Sequence, residues 1–282
     1  KMIEINTLSF SYGRKELFSQ LSLALHSGNI CGLLGKNGAG KTTFLKLLAG
    51  LLFPQGGNPL ILGERPADRS PRFLQELVLL PEEFSLPPVS PLQYQKLYAP
   101  FYPRFNPQLF SDYLNEFELD PNQKLDQSSF GQKKKFLLAF GLSTDCKLTL
   151  LDEPTNGLDI PSKRQFRKAL ASVLTEDRLF IIATHQARDL ESLIDPVVIL
   201  DEGQVIFNHS LLEISKRLTV RMEAKSPGLS EGIYSEKTLE GYLVVAENTT
   251  AQETHMDLEL LFNAVIQNRE AVSSLFQQED AK

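Results

Sequence analysis

NICGLLGKNGAGKTTFLKLLAG, Asn29 to Gly50, is the stretch that decides the fold. It opens with a nearly continuous apolar run ending in glycine, the pattern of a strand buried on both faces of a parallel sheet. It closes with Phe44, Leu45, Leu47 and Leu48 behind Lys41, so a helix is expected from Lys41, with Gly50 placed to end it. Between them GKNGAGKTT, Gly35–Thr43, matches G-x-x-x-x-G-K-[ST] completely. Glycines let the main chain wrap closely around a phosphate with its N–H groups pointing inward. The helix start adds about half a positive charge. Lys41 can then reach the outer phosphates and the Thr42 hydroxyl can ligate Mg²⁺. The plain alternative is a glycine-rich turn before a structural helix, and the strand–loop–helix context argues against it.

Around this centre the apolar patterning continues in strand-sized pieces. MIEINTLSF and LSLAL alternate apolar and polar residues, as half-buried strands do. PLILG and LVLLPE are further short strands, LTLLDEP, RLFIIATH and PVVILDEG read as buried ones, and DEGQVIF reads as a hairpin. A helix is expected from about Pro161, with Phe166, Leu170, Val173 and Leu174 at helical spacing. From about residue 84 to 142 the character changes: prolines, tyrosines and phenylalanines crowd together, then amphipathic helical pieces follow. After Arg217 come alternating strands (LTVRMEA, EGYLVVA), a loop SPGLSEG, and a final amphipathic helix with Leu258, Leu261, Phe262, Val265 and Ile266 on one face. The expected fold class is α/β. It is a P-loop NTPase core with a mostly parallel sheet, an antiparallel β subdomain, a helical insertion at about 84–142 and a small C-terminal α+β appendage. The expected units are 1–217 and 218–282. The second reads either as a cap packed on the core or as a regulatory or dimer-stabilising domain.

Composition narrows the function. With 42% hydrophobic and 23% charged residues the chain can build a full core. A net charge of -6 argues against nucleic acid as the main partner, which needs a basic face. No apolar run approaches the roughly 18 residues that span a bilayer, and nothing at the start reads as a secretory signal. Cys31 and Cys146 sit at strand edges and are expected to be reduced packing residues.

LTLLDEP supplies a second candidate site. Asp152 and Glu153 end an apolar strand, where side chains of an open α/β sheet meet the ligand crevice. Asp152 can hold Mg²⁺ through water, and Glu153 can orient or deprotonate an attacking water. Another stretch, SSFGQKKK, has Ser129 three residues before Gln132, a capping-box pattern that marks a helix start.

Taken in order, these segments resemble the ATP-binding subunits of ABC transporters over about residues 2–217. FSYGRKEL resembles the segment whose aromatic stacks on adenine, which would be Tyr12, although Phe10 lies two residues away. GKNGAGKTT resembles the Walker A loop, LLPEE holds the Q-loop position, SSFGQ the signature, LTLLDEP Walker B, NGLD the D-loop, and ATH supplies the switch histidine, His185. The resemblance implies that Gly35, Lys36, Asn37, Gly38, Ala39, Gly40, Lys41, Thr42 and Thr43 bind ATP, and that Thr42 and Asp152 hold Mg²⁺. It further implies that Glu153 is the catalytic base and that His185 contacts the γ-phosphate. Ser129, Gly131 and Gln132 would meet the ATP of a second subunit, homodimeric or heterodimeric, in a head-to-tail pair. A membrane permease on a separate chain would be the other partner, reached from the cytoplasmic face. The short cassette is similar to exporters more than to importers. Two departures stand out. Glu82 replaces the usual glutamine of the Q-loop, where a carboxylate repels phosphate unless it faces Mg²⁺ or solvent. Ser128 and Phe130 replace the first leucine and first glycine of LSGGQ. They leave open a regulatory subunit of weak catalysis, beside a soluble ATPase unconnected with transport.

Overall fold

The computed structural model describes residues 1–224, 232–250 and 253–277. The first strands form an antiparallel hairpin, β1 (Ile3–Tyr12) and β2 (Lys15–Leu25), which the short β4 (Leu60–Ile61) extends into a sheet ordered β2-β1-β4. PLILG thus contributes two residues of strand. The central sheet runs β5-β6-β7-β3-β8-β9, with β3 (Asn29–Leu34), β5 (Leu77–Leu80), β6 (Leu148–Asp152), β7 (Leu179–Thr184), β8 (Val197–Asp201) and β9 (Gln204–His209). Its pairings are parallel except for the β8–β9 hairpin.

Alternation along β3 sends Ile30 and Leu34 to one core and Cys31 and Leu33 to the other. On the second face lie the antiparallel sheet and α1 (Lys41–Leu48), through Ile3, Phe18, Phe44 and Leu48. On the first lie α5 (Phe130–Ser143) and α6 (Ile160–Val173). Both cysteines are buried and unpaired.

Short α2 (Pro71–Leu74) precedes β5. The region after β5 holds α3 (Pro91–Tyr98) and α4 (Pro107–Glu116). Much of its aromatic content is core: Tyr94 meets Phe136 and Phe140 edge-on at 5.0 Å, and Phe105 lies 5.2 Å from Phe140. Leu92, Leu97, Tyr98 and Phe101 stay exposed.

Beyond α7 (Leu211–Arg217), β10 (Leu218–Glu223), β11 (Tyr234–Lys237) and β12 (Tyr242–Glu247) form a separate antiparallel sheet ordered β10-β12-β11. Most of the loop SPGLSEG lies outside the described residues. The single amphipathic helix expected near the C-terminus is two, α8 (Leu258–Gln267) and α9 (Arg269–Phe276). Asn268 separates them with φ -134° and ψ 53°, outside the helical range. Leu258, Leu261 and Val265 are buried there, and Phe262 and Ile266 half-buried.

Candidate nucleotide site

Strand order creates the site. β6, β7 and β3 are neighbours, with Asp152 opposite Ala183 and Leu34 opposite Thr184. Their C-terminal ends therefore bring together Gly35, Asp152, Glu153 and His185, segments that the sequence holds far apart. A cleft of about 570 Å³ opens there, walled by Tyr12, Asn37, Gly38, Lys41, Thr42, Glu82, Asp152, Glu153, Asn156 and His185, among others.

The phosphate loop joins β3 to α1 through two left-handed glycines, Gly38 (φ 82°) and Gly40 (φ 103°). Gly40 is doubly constrained, because a Cβ there would stand 2.8 Å from the Phe18 ring. α1 starts without a side-chain cap and without an acidic residue in its first turn, so its first N–H groups face the cleft uncommitted. Lys41 is buried, and its Nζ donates to the carbonyls of Gly35 (2.7 Å) and Lys36 (3.3 Å). Burial lowers its pKa, with Glu153, Asp152 and Glu82 pulling the other way.

The Thr42 hydroxyl donates to Asp152 Oδ2 at 2.7 Å. Among the described residues Asp152 Oδ1 is buried and has no hydrogen-bond partner. Burial raises the Asp152 pKa against the Thr42 hydrogen bond, which lowers it. An orphaned carboxylate oxygen beside a hydroxyl fits Mg²⁺, which takes few protein ligands and keeps phosphates and waters for the rest.

Glu153 is buried in the left-handed region, at φ 44°. Its Oε1 accepts from the His185 main-chain N–H (3.0 Å) and from Nδ1 (2.7 Å), and Oε2 accepts from the Thr184 hydroxyl (3.0 Å). Lys41 Nζ stands 3.9 Å from Oε1. The carboxylate is therefore held at the cleft by the last residue of β7 and the one that follows it.

The remaining expected residues divide. Tyr12 is 51% exposed at the cleft, its hydroxyl 3.3 Å from Thr43 Oγ1, whereas Phe10 is buried and packs edge-on against it. Glu82 faces the same cleft, with Oε1 accepting from Asn156 Nδ2 at 2.9 Å. Gly35 and Lys36 line a smaller neighbouring cleft of about 240 Å³, shared with Thr184, His185, Leu258 and Phe262. The C-terminal helix pair reaches this place because Arg188 pairs with Asp257 (3.5 Å) and Glu259 (3.4 Å), and Glu191 accepts from the Leu258 N–H (3.1 Å).

Ser129, Gly131 and Gln132 do not wall the cleft of their own chain. The capping box is present in both directions: Gln132 N–H donates to Ser129 Oγ (3.2 Å) and Ser129 N–H to Gln132 Oε1 (2.9 Å). Phe130 follows at the first helical position, 53% exposed, stacked on Phe84 at 5.6 Å. Its φ is not positive and its ring does not wall the cleft.

Sequence reasoning missed Asn156 and Lys134. NGLD stood only for the D-loop resemblance, and no role was given to the Asn156 side chain. Lys134 is one of three consecutive lysines, but it shares a helix face with Leu137, Leu138 and Gly141, and that face is buried. The spacing was a usable signal.

Comparison with known proteins agrees with this geometry. The family model described as ABC transporter matches residues 18–156. The Nod factor export ATP-binding protein I of Burkholderia orbicola (strain AU 1054) is 32% identical over 231 residues, covering 75% of this chain and 72% of that protein. The SkfA peptide export ATP-binding protein SkfE of Bacillus subtilis (strain 168) is 31% identical, covering 73% and 88%. A solved ATP-binding subunit of an ABC transporter superposes with a TM-score of 0.70 at 25% identity, covering 76% of this chain and 92% of that one.

Proposed function

The chain belongs to the ABC transporter ATP-binding family and is an ATPase, and from that premise we propose that it drives a membrane permease carried on a separate chain, through a head-to-tail pair closed by ATP. The observation that carries this reading is a division of the site. Lys41, Thr42, Asp152, Glu153 and His185 gather in one cleft, while the capped, exposed start of α5 lies away from it. A helix start with exposed Ser129 suits an anion, and a second cassette would supply one.

Each residue then has a role. Gly38, Gly40 and neighbouring main-chain N–H groups cradle the phosphates, Lys41 leaves the loop carbonyls for them, and Tyr12 stacks on the base. Mg²⁺, held by Thr42 and Asp152 with Glu82 facing it, would supply charge neutralisation on the phosphates. Glu153 orients a water and takes its proton as the water oxygen attacks the γ-phosphorus and the bond to the β–γ bridging oxygen breaks. His185, which already donates to Glu153, keeps that base oriented and contacts the γ-phosphate. Residues 1–217 would form the ATP-binding unit and 218–282 an accessory domain.

Among the described residues no helix is long and apolar enough to cross a membrane. The exposed Leu92, Leu97, Tyr98 and Phe101 offer the permease a docking face on the helical insertion, from the cytoplasmic side. The export roles in the relatives' names favour export here too. Glu153→Gln tests the closure: with Mg-ATP it should elute as a stable dimer, and release phosphate at least about 100-fold more slowly than the wild type. A variant that stays monomeric with and without ATP in light scattering would sink the head-to-tail reading.

A further inference from the structure

His185 stands between two clefts. On one side it lines the nucleotide cleft, and on the other the hollow of about 240 Å³ whose far wall is α8, through Leu258, Glu259, Phe262 and Asn263. Its ring and main-chain N–H are fixed to Glu153, and just beyond it the chain makes a short 3₁₀ turn, Ala187–Leu190. Two elements hold that turn. On the core side α6 grips Asp189: Lys163 pairs with its carboxylate at 2.6 Å, and Arg167 donates to its carbonyl at 3.0 Å. On the other side α8 grips its neighbours. Arg188 reaches Asp257 at 3.5 Å and Glu259 at 3.4 Å, and Glu191 accepts from the Leu258 N–H at 3.1 Å. Asp257 serves both sides of this joint. Its Oδ1 caps α8 by accepting from the Glu259 and Leu260 N–H groups, while Oδ2 faces Arg188. Beneath the charges, Ala187, Leu190, Leu258 and Leu261 are buried in one core.

We propose that α8 is a brace for the loop of His185 and that Arg188 is a positioning residue for ATP hydrolysis: by pairing with Asp257 and Glu259 it holds His185, and through it Glu153, in register with the nucleotide cleft. The inference rests on the reading of Glu153 and His185 given above. The contributions divide by magnitude. Exposed ion pairs are weak, and the Arg188 side chain is 67% exposed, so the buried leucines supply the adhesion. What the guanidinium adds is register, because its planar fork meets two carboxylates of the first turn of α8 in one geometry. A loop that carries a reacting group needs register, since a small displacement there costs rate far more than stability. The nucleotide cleft is walled by residues from Tyr12 to His185, so α8 acts on turnover without touching nucleotide. Whatever shifts the C-terminal helices shifts the rate.

The test uses the full chain and two readouts. One is kcat with Mg-ATP, normalised to the sites that bind trinitrophenyl-ATP. Arg188→Glu sets a carboxylate against two others and should lower that kcat about tenfold. Affinity for the analogue should stay within about twofold, because Lys41 and Thr42 are untouched. Combining Arg188→Glu with Glu259→Lys should restore kcat to within about threefold of wild type. Arg188→Lys, which keeps the charge, should stay within about threefold as well. The second readout needs no nucleotide: amide hydrogen exchange over residues 185–191 should quicken about tenfold in Arg188→Glu and slow again in the charge swap, while residues 35–43 keep their rates. An unchanged kcat, a loss that the swap does not reverse, or an analogue affinity that falls as far as kcat overturns the proposal. If Arg188→Glu does not fold, Glu259→Lys alone decides by the same two readouts, since it opposes Arg188 from an exposed position. A His185→Ala variant that hydrolyses ATP as fast as wild type would defeat the reading of His185 instead, and the exchange rates would still decide whether α8 holds the loop.

Discussion

Gly157→Ala probes the contact between the start of α5 and the turn after Glu153. Gly157 has φ 78°, so an alanine there costs about 1 kcal/mol for the left-handed backbone alone. A Cβ would also stand 2.7 and 2.8 Å from two ring carbons of Phe130, closer than real Cβ contacts come. The ring is 53% exposed and can swing away, at the expense of its stack on Phe84. Losing that stack adds about 1 kcal/mol. The single variant should therefore be destabilised by about 2 kcal/mol, a melting temperature lower by about 6 °C. Phe130→Ala alone forfeits the stack, about 1 kcal/mol. The double variant should lose about 2 kcal/mol rather than 3, since the ring that clashed is gone and the stack is counted once. Urea unfolding of the four proteins measures the coupling, expected near 1 kcal/mol. Strict additivity within about 0.3 kcal/mol would show that Phe130 does not rest on Gly157, and the account of how a phenylalanine fits the signature position would be wrong.

Lys41→Ala removes the ammonium that now bonds Gly35 and Lys36 and that is to reach the phosphates; ATP affinity should fall by at least about 100-fold in a titration, and an unchanged affinity would sink the phosphate-loop assignment. His209, packed 4.1 Å from Phe276, has its pKa lowered by burial, with Glu213 opposing. The unfolded chain therefore takes up a proton, as pH falls through about 6.5, that the folded one resists. Stability that is present at pH 7.5 should decline towards pH 5.5, and the decline should be smaller in His209→Gln. Identical urea midpoints at both pH values in wild type and variant would contradict that placement.

How far the sequence carried the reading depended on range. GKNGAGKTT is nine contiguous residues whose glycines impose their own local geometry, and Ser129 with Gln132 closes a capping box inside four residues. Strand segments were legible from apolar runs, because burial on both faces leaves little room for polar residues. Boundaries suffered where the pattern was ambiguous. The amphipathic face of Leu258, Leu261, Phe262, Val265 and Ile266 is α8, but the break at Asn268 and the second helix α9 behind it are backbone events that apolar periodicity does not register.

Sequence alone, then, determined that a phosphate-binding loop joins a buried strand to a helix, that two carboxylates end another strand, and that a capped helix start precedes FLLAF, since each is written within a few bonds of backbone. Only the tertiary structure decided what meets what. Thr42 reaches Asp152 across 110 positions, Asn156 reaches Glu82 across 74, and Glu153 finds His185 across 32. Those meetings follow from β6, β7 and β3 lying side by side, an order set by how the two cores fill rather than by any local pattern. The same packing decided that Phe10 is buried and Tyr12 open, and that of three adjacent lysines Lys134 turns inward. Burial depends on what the rest of the chain places opposite a side chain, and no short stretch of sequence contains that.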